Sequence, residues 1–170
     1  MTAGGHGQHD GHMLLTEFRG TAEGAFDADA DAVFAALTDI DNLPLWNRRI
    51  AKVLRTPNGP MEPGAQWCVT MSVPPASWPS KSRCTRYDVR GRVFAHISQS
   101  DDGNPSFGEW TWTVTPAGAG ARARVEWIGH PKTYWRRLLF ARIRAAQLQR
   151  ETEASLTALA YHLAPRDATV

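Results

Sequence analysis

A chain of 170 residues, 42% hydrophobic and 21% charged with a formal net charge of +2, is long enough to hide roughly 70% of the surface its unfolded form exposes. That charge is too slight for a nucleic-acid-binding face, which concentrates Lys and Arg, and the composition is not that of a disordered segment. No run approaches the roughly 18 uninterrupted apolar residues of a membrane span, no apolar signal-peptide core opens the chain, and no internal repeat appears. The two cysteines, Cys68 and Cys84, belong to no CxxC pair, so the expectation is a cytoplasmic protein with reduced thiols.

Residues 1–16 read as a flexible Gly/His-rich tail. His6, His9 and His12 recur at every third position, but the glycines around them supply no rigid frame for metal geometry, so an inert tail is the stronger reading and no metal site is expected. Residues 17–27 read as a first strand, ending at Asp27, Asp29 and Asp31, any of which can cap a following helix through Val33, Phe34 and Leu37. Residues 39–47 turn at Pro44 into a second short helix carrying Trp46. Extended segments follow at 50–56, 65–73, 83–89, 92–100, 107–115 and 122–129, separated by Pro, Gly, Asn and Asp clusters, with 57–64 as a turn-rich stretch and Gly118 and Gly120 closing the last hairpin.

Alternation assigns the faces. Trp110, Trp112 and Val114 point to one side, and Glu109, Thr111, Thr113 and Thr115 to the other. The neighbouring strand sets Val125 and Trp127 against Arg122, Arg124 and Glu126, and the inward set of 65–73 is Trp67, Val69 and Met71, which leaves Cys68 facing out. The cover for this tryptophan-lined face is residues 132–163, which hold no Gly or Pro and are rich in good helix formers. At about 100° per residue, Tyr134, Leu138, Ala141, Ala145, Leu148, Thr152, Leu156, Leu159 and Leu163 fall in one sector roughly 80° wide. Arg136, Arg137, Arg142, Arg144 and Arg150 lie outside it and are expected in solvent. Pro165 ends the helix, so residues 17–165 read as one domain and 166–170 as a tail.

This order predicts an α+β helix-grip fold, a seven-stranded curved antiparallel sheet wrapped on a long C-terminal helix, with two short helices between strands 1 and 2. It resembles the START/Bet v 1-like (SRPBCC) superfamily, and especially its polyketide cyclase/dehydrase-like branch. The segments that carry the resemblance are "AFDADADAVFAALTDIDNLPLW" from Ala25, "EPGAQW" at the Gly64 turn, "GRVFAH" from Gly91 and "GEWTWTVTPAGAGARARVEW" from Gly108. It spans residues 18–164 and implies a cavity between sheet and helix for hydrophobic ligands such as polyketides, lipids or sterols. It implies no universal catalytic residue, because one fold hosts many functions.

Trp67, Trp110, Trp112 and Trp127 facing one volume suit a pocket wall better than a plain core, being large and carrying a polar N–H. The ligand-binding set is therefore Trp67, Val69, Met71, Phe94, His96, Trp110, Trp112, Val125, Trp127, Leu138 and Ala145. The "GRVFAH" match turns Phe94 and His96 inward, and a buried imidazole can move a proton near neutral pH, with Tyr87 or Tyr134 donating to an enolate oxygen. A one-residue register slip instead points Val93, Ala95 and Ile97 inward and leaves His96 on the surface; both registers stay open. No nucleophile elbow, P-loop or dinucleotide fingerprint is present, and no cofactor is expected. Trp135, Leu139, Phe140 and Ile143, mixed with arginines on the other helix side, suit a homodimer contact, a membrane surface or burial under loops. Three functions stay open: a binding protein for a hydrophobic or aromatic small molecule, a cyclase/dehydratase-type enzyme using His96, and an interaction module without ligand.

Overall fold

The computed structural model describes residues 16–133 and 141–164, with side chains on the last segment described from Arg144 onward. Its elements run β1 (Phe18–Phe26), α1 (Ala30–Thr38), α2 (Leu43–Trp46), β2 (Ile50–Arg55), β3 (Gln66–Val73), β4 (Ala76–Asp88), β5 (Val93–Ser100), β6 (Phe107–Ala117), β7 (Gly120–His130) and α3 (Ala141–Leu163). All seven strands form one antiparallel sheet in the order β1-β7-β6-β5-β4-β3-β2. The two edge strands are those separated in sequence by α1 and α2, and α3 lies across one face. This is the helix-grip arrangement.

Local chemistry explains the punctuation. Of the three aspartates before α1, Asp29 is the cap: its Oδ1 accepts from Ala32 N at 2.8 Å, satisfying a donor that the first helical turn leaves free. Asp31 instead pairs with Arg92, in the turn that leads into β5, at 2.6 Å. The β6–β7 hairpin closes at Gly118, whose φ of 60° falls in the region that costs glycine nothing. Polar residues of β7 face out as the alternation predicts, with Arg122 and Arg124 each 3.4 Å from Glu23 on β1.

Three readings of the sequence need correction and one, the outward Cys68, needs completing. Strand β4 begins at Ala76 and not at residue 83: Pro74 and Pro75 form its hairpin with β3, and Pro79 sits inside the strand just beyond the last β5 pair, Ser80–Ser100. Just past the end of β5 the Pro79 carbonyl accepts from Asp101 N at 2.8 Å, so the pairing continues there through the carbonyl although the proline supplies no N–H. Lys132 and Thr133 are not helical, so α3 does not start at residue 132. Cys68 sits on the outer face as alternation requires, opposite Arg55 and Lys81, yet it is buried by these neighbours. Arg144, expected in solvent, turns toward the sheet and donates to Glu151. The His6, His9 and His12 tail, Tyr134, Leu138, Pro165 and most of the Trp135–Ile143 surface lie outside the described residues.

The core joins α1, the C-terminal half of α3 and the β1–β7–β6 side of the sheet, through Phe26, Val33, Phe34, Leu37, Val114, Ala123, Val125, Leu156 and Leu159. Here the sheet is built from small residues. Ala22, Gly24 and Ala123 let the helix come down close, and a Cβ on Gly24 would already stand 3.2 Å from the Leu156 Cβ. Gly20 serves the Trp127 indole, which lies flat over it on the neighbouring strand, so that a Cβ at position 20 would overlap the ring. Gly20→Ala must therefore push the indole off its seat. It should cost about 1–3 kcal/mol of stability, the usual range for overpacking, with a shift in tryptophan emission; unchanged urea midpoint and emission would show the indole to be free to move.

Candidate functional site

Away from that tight side the sheet floor changes character. Trp67 on β3, His96 on β5, Trp110 on β6 and Trp127 on β7 form a relay of ring contacts, with centroids 5.3, 6.2 and 5.8 Å apart in turn. Phe94 packs on both Trp67 and His96, at 5.9 and 5.2 Å, and Trp46 from α2 meets Trp112 edge-on at 6.1 Å. Strand β4, by contrast, carries one indole on this face, Trp78 near its start, and then only Ser80, Ser82 and Cys84 along its middle. The opposed β5 positions add Ser98 and Ser100. Small residues between tall indoles leave a hollow of about 930 Å³ under the first half of α3, within the ~300–1,000 Å³ span of small-molecule pockets.

The hollow is apolar with placed polar groups. Ser98 Oγ accepts from Trp110 Nε1 at 2.9 Å, while Ser80 Oγ donates to the Gln99 carbonyl at 3.3 Å. At one end Glu151 of α3, its side chain 5% exposed, stands between Arg49 and Arg144, with Arg49 Nε at 3.0 Å and Arg144 Nη1 at 3.2 Å. At the rim His130 stacks on Phe107 at 4.4 Å, with its Nε2 2.9 Å from Glu109 Oε1. Among the described residues, the buried side-chain polar atoms without a well-directed protein hydrogen bond are Trp46 Nε1, His96 Nδ1 and Trp127 Nε1, together with Arg49 Nε and His130 Nε2, which are met only by the carboxylate contacts just given. Every one belongs to a residue that lines this hollow.

Of the residues singled out from sequence, Trp67, Val69, Met71, Phe94, His96, Trp110, Trp112 and Trp127 line the hollow together. The register is the one that turns Phe94 and His96 inward, since they pair with Trp112 and Trp110. Val125 is fully buried in the tight core beneath the helix, and Ala145 is half-buried on α3; neither lines the hollow. Tyr87 is also apart from it, stacked on Phe34 at 5.7 Å with Phe94 standing between it and His96. The serines, Arg49, Glu151 and Trp46 escaped sequence reasoning. The Ser80-Lys81-Ser82-Arg83-Cys84 alternation of small and charged residues was the available signal, and the prolines before it masked the strand that gives it meaning.

His96 has no carboxylate or carbonyl on its Nδ1, and burial pushes its pKa down to about 3. The imidazole is neutral throughout the physiological range, a hydrogen-bonding group with little strength as a base. Burial also pushes the Cys84 thiol up, away from reactive thiolate. No group of three or more His, Cys, Asp or Glu side chains converges as a metal site among the described residues.

The comparisons fit this architecture. The family described as polyketide cyclase / dehydrase and lipid transport matches residues 17–164, and the chain belongs to it, within the Bet v 1-like SRPBCC superfamily. Among solved structures, the Zhui aromatase/cyclase from a Streptomyces species superposes with a TM-score of 0.74 at 17% identity, over 90% of this chain and 98% of that one. Ara h 8.0201 gives 0.68 at 14% identity, over 86% and 97%, and a protein from Chromobacterium violaceum 0.68 at 18%, over 89% and 99%. No curated protein matches by sequence. Among the described residues no helix is long and apolar enough to cross a membrane.

The His96 shift carries a pH signature. The unfolded ring titrates near 6.5 and the folded one near 3, so between these values the unfolded state binds more protons and stability falls as pH falls. The slope is at most ~1.4 kcal/mol per pH unit. His96→Leu should flatten unfolding free energy against pH across that window; a mutant curve parallel to wild type would mean the imidazole is solvated when folded.

Proposed function

We propose that this protein binds an apolar or aromatic small molecule in the hollow between sheet and helix and releases it unchanged. The observation that carries the reading is the gathering of three unpaired buried polar atoms, Trp46 Nε1, His96 Nδ1 and Trp127 Nε1, on residues around a single aromatic-walled space. An unsatisfied buried donor or acceptor costs about 1–3 kcal/mol, and a core built only for packing would have no cause to gather them in one place. A ligand with a few oxygens along an apolar frame would supply the partners while its frame lies on the indoles. The family's lipid-transport description and the aromatase/cyclase likeness both suit such a molecule.

The cyclase-type alternative has less to rest on. A general base works best with a pKa near the operating pH, whereas burial holds His96 near 3, and Tyr87 is packed away from the space where substrate would lie. His96 is better suited to orient a ligand by hydrogen bonding. The reading places the protein in the cytoplasm, with residues 17–165 acting as one unit and no nucleic acid involved.

A panel of hydrophobic compounds titrated against tryptophan fluorescence should give a saturable response, and the bound compound should be recovered unaltered after long incubation. Ser82→Leu would fill the floor of the hollow, lowering affinity roughly tenfold or more while leaving thermal stability at or above wild type, because an emptied space is being packed. A flat titration across the panel would favour an interaction module, and recovery of a converted compound would favour an enzyme.

A further inference from the structure

The Arg49–Glu151–Arg144 cluster gives the ligand a polarity and an orientation. Glu151 lies on the cavity-facing side of α3 with Leu148, Thr152 and Ser155, and is buried. Arg49 comes from the turn between α2 and β2, which is tied down on both sides: Arg48 N donates to Ser155 Oγ at 3.3 Å and Ser72 N donates to the Arg49 carbonyl at 2.8 Å. Both guanidiniums line the hollow, at 29% and 31% side-chain exposure. Each carries five N–H donors and no acceptor, and one carboxylate cannot absorb two such forks. Arg144 spends a single nitrogen, Nη1, on both Glu151 oxygens. Arg49 Nε is close to Glu151 but not aimed at it. The cluster keeps a net positive charge and unspent planar donors at the end of an otherwise apolar space.

We propose that Arg49 and Arg144 form a subsite for the carboxylate end of an amphipathic acid, whose apolar body lies along Trp67, Trp110 and Trp127. This rests on the reading of the hollow as a ligand site. Planar guanidiniums match a carboxylate two bonds at a time, and Glu151 holds both in place while neutralising only one of the two charges. The ligand acid enters as a second carboxylate on the same pair and turns the net charge of the cluster from +1 to zero.

The test uses matched pairs, dodecanoate against dodecanol and naphthoate against acetylnaphthalene, titrated calorimetrically into the full chain at neutral pH. The acid of each pair should bind roughly tenfold more tightly than its neutral partner, the scale of one charge-assisted hydrogen bond. Arg49→Gln and Arg144→Gln should each remove most of that preference while leaving the neutral compound's affinity in place, which also shows that the hollow is intact. Glu151→Gln keeps an acceptor oxygen for the arginines but deletes the competing charge, so the preference for the acid should widen. Equal affinity within each pair overturns the subsite and leaves the cavity reading standing. Arginine variants that weaken acid and neutral compound alike overturn it too, by assigning the cluster a purely structural role. If no member of either pair binds, the cavity reading falls with it.

Discussion

The seating of the second half of α3 on the small-residue side of the sheet is the contact from which the rest of the molecule follows. Leu156 and Leu159 are almost wholly enclosed because Ala22, Gly24 and Ala123 present nearly bare backbone beneath them. A helix is a stiff rod, so once one half is fixed at that height the other half passes over whatever the remaining strands offer. Those strands carry indoles at their inward positions with serines between them. Ridges and gaps of such unequal height cannot be closed by a straight rod, and the space under its first half stays open. The cavity is thus a consequence of where bulk is distributed over the sheet, with small residues where the helix must touch and uneven ones where it must not.

That distribution was partly legible in the sequence. Strict alternation in 107–115 and 122–129 displayed the tryptophan face, because period two is the strongest signal a half-buried strand can give. The stripe from Leu148 through Leu156 to Leu159 announced the cover. The emptiness between them was harder to see, since it is made of residues that are missing bulk, and Ser80 and Ser82 look like surface residues in a sequence. Glu151 was hidden by the opposite bias: it shares the inward face with Leu148 and Ser155, but a search for apolar residues at helical spacing passes over a carboxylate. Its burial is made tolerable by Arg49, which the sheet topology brings from a distant part of the chain, and no local pattern encodes such a pairing.

The polar atoms around the hollow separate into two kinds. Ser98, Ser80 and Glu151 are held by protein partners at hydrogen-bonding distance, so their positions are fixed before anything arrives. Trp46, Trp127 and His96 instead each present an atom that the protein leaves unpaired. The fixed groups shape the wall and the unpaired ones give it a pattern of demand. A wall that was apolar throughout would accept any greasy molecule in any direction, because hydrophobic burial is non-directional.

Direction comes from the charged end. Two guanidiniums and one carboxylate at the junction of α2, β2 and α3 put a positive excess where low surrounding polarity strengthens every Coulomb interaction. The neutral His96 lies farther along the floor, between Trp67 and Trp110, and burial keeps it neutral, so it does not compete for the same anion. An acid entering the hollow therefore meets one charged end and one aromatic body with neutral donors. That asymmetry fixes which way round it lies, and it arises from residues whose burial would otherwise only weaken the fold.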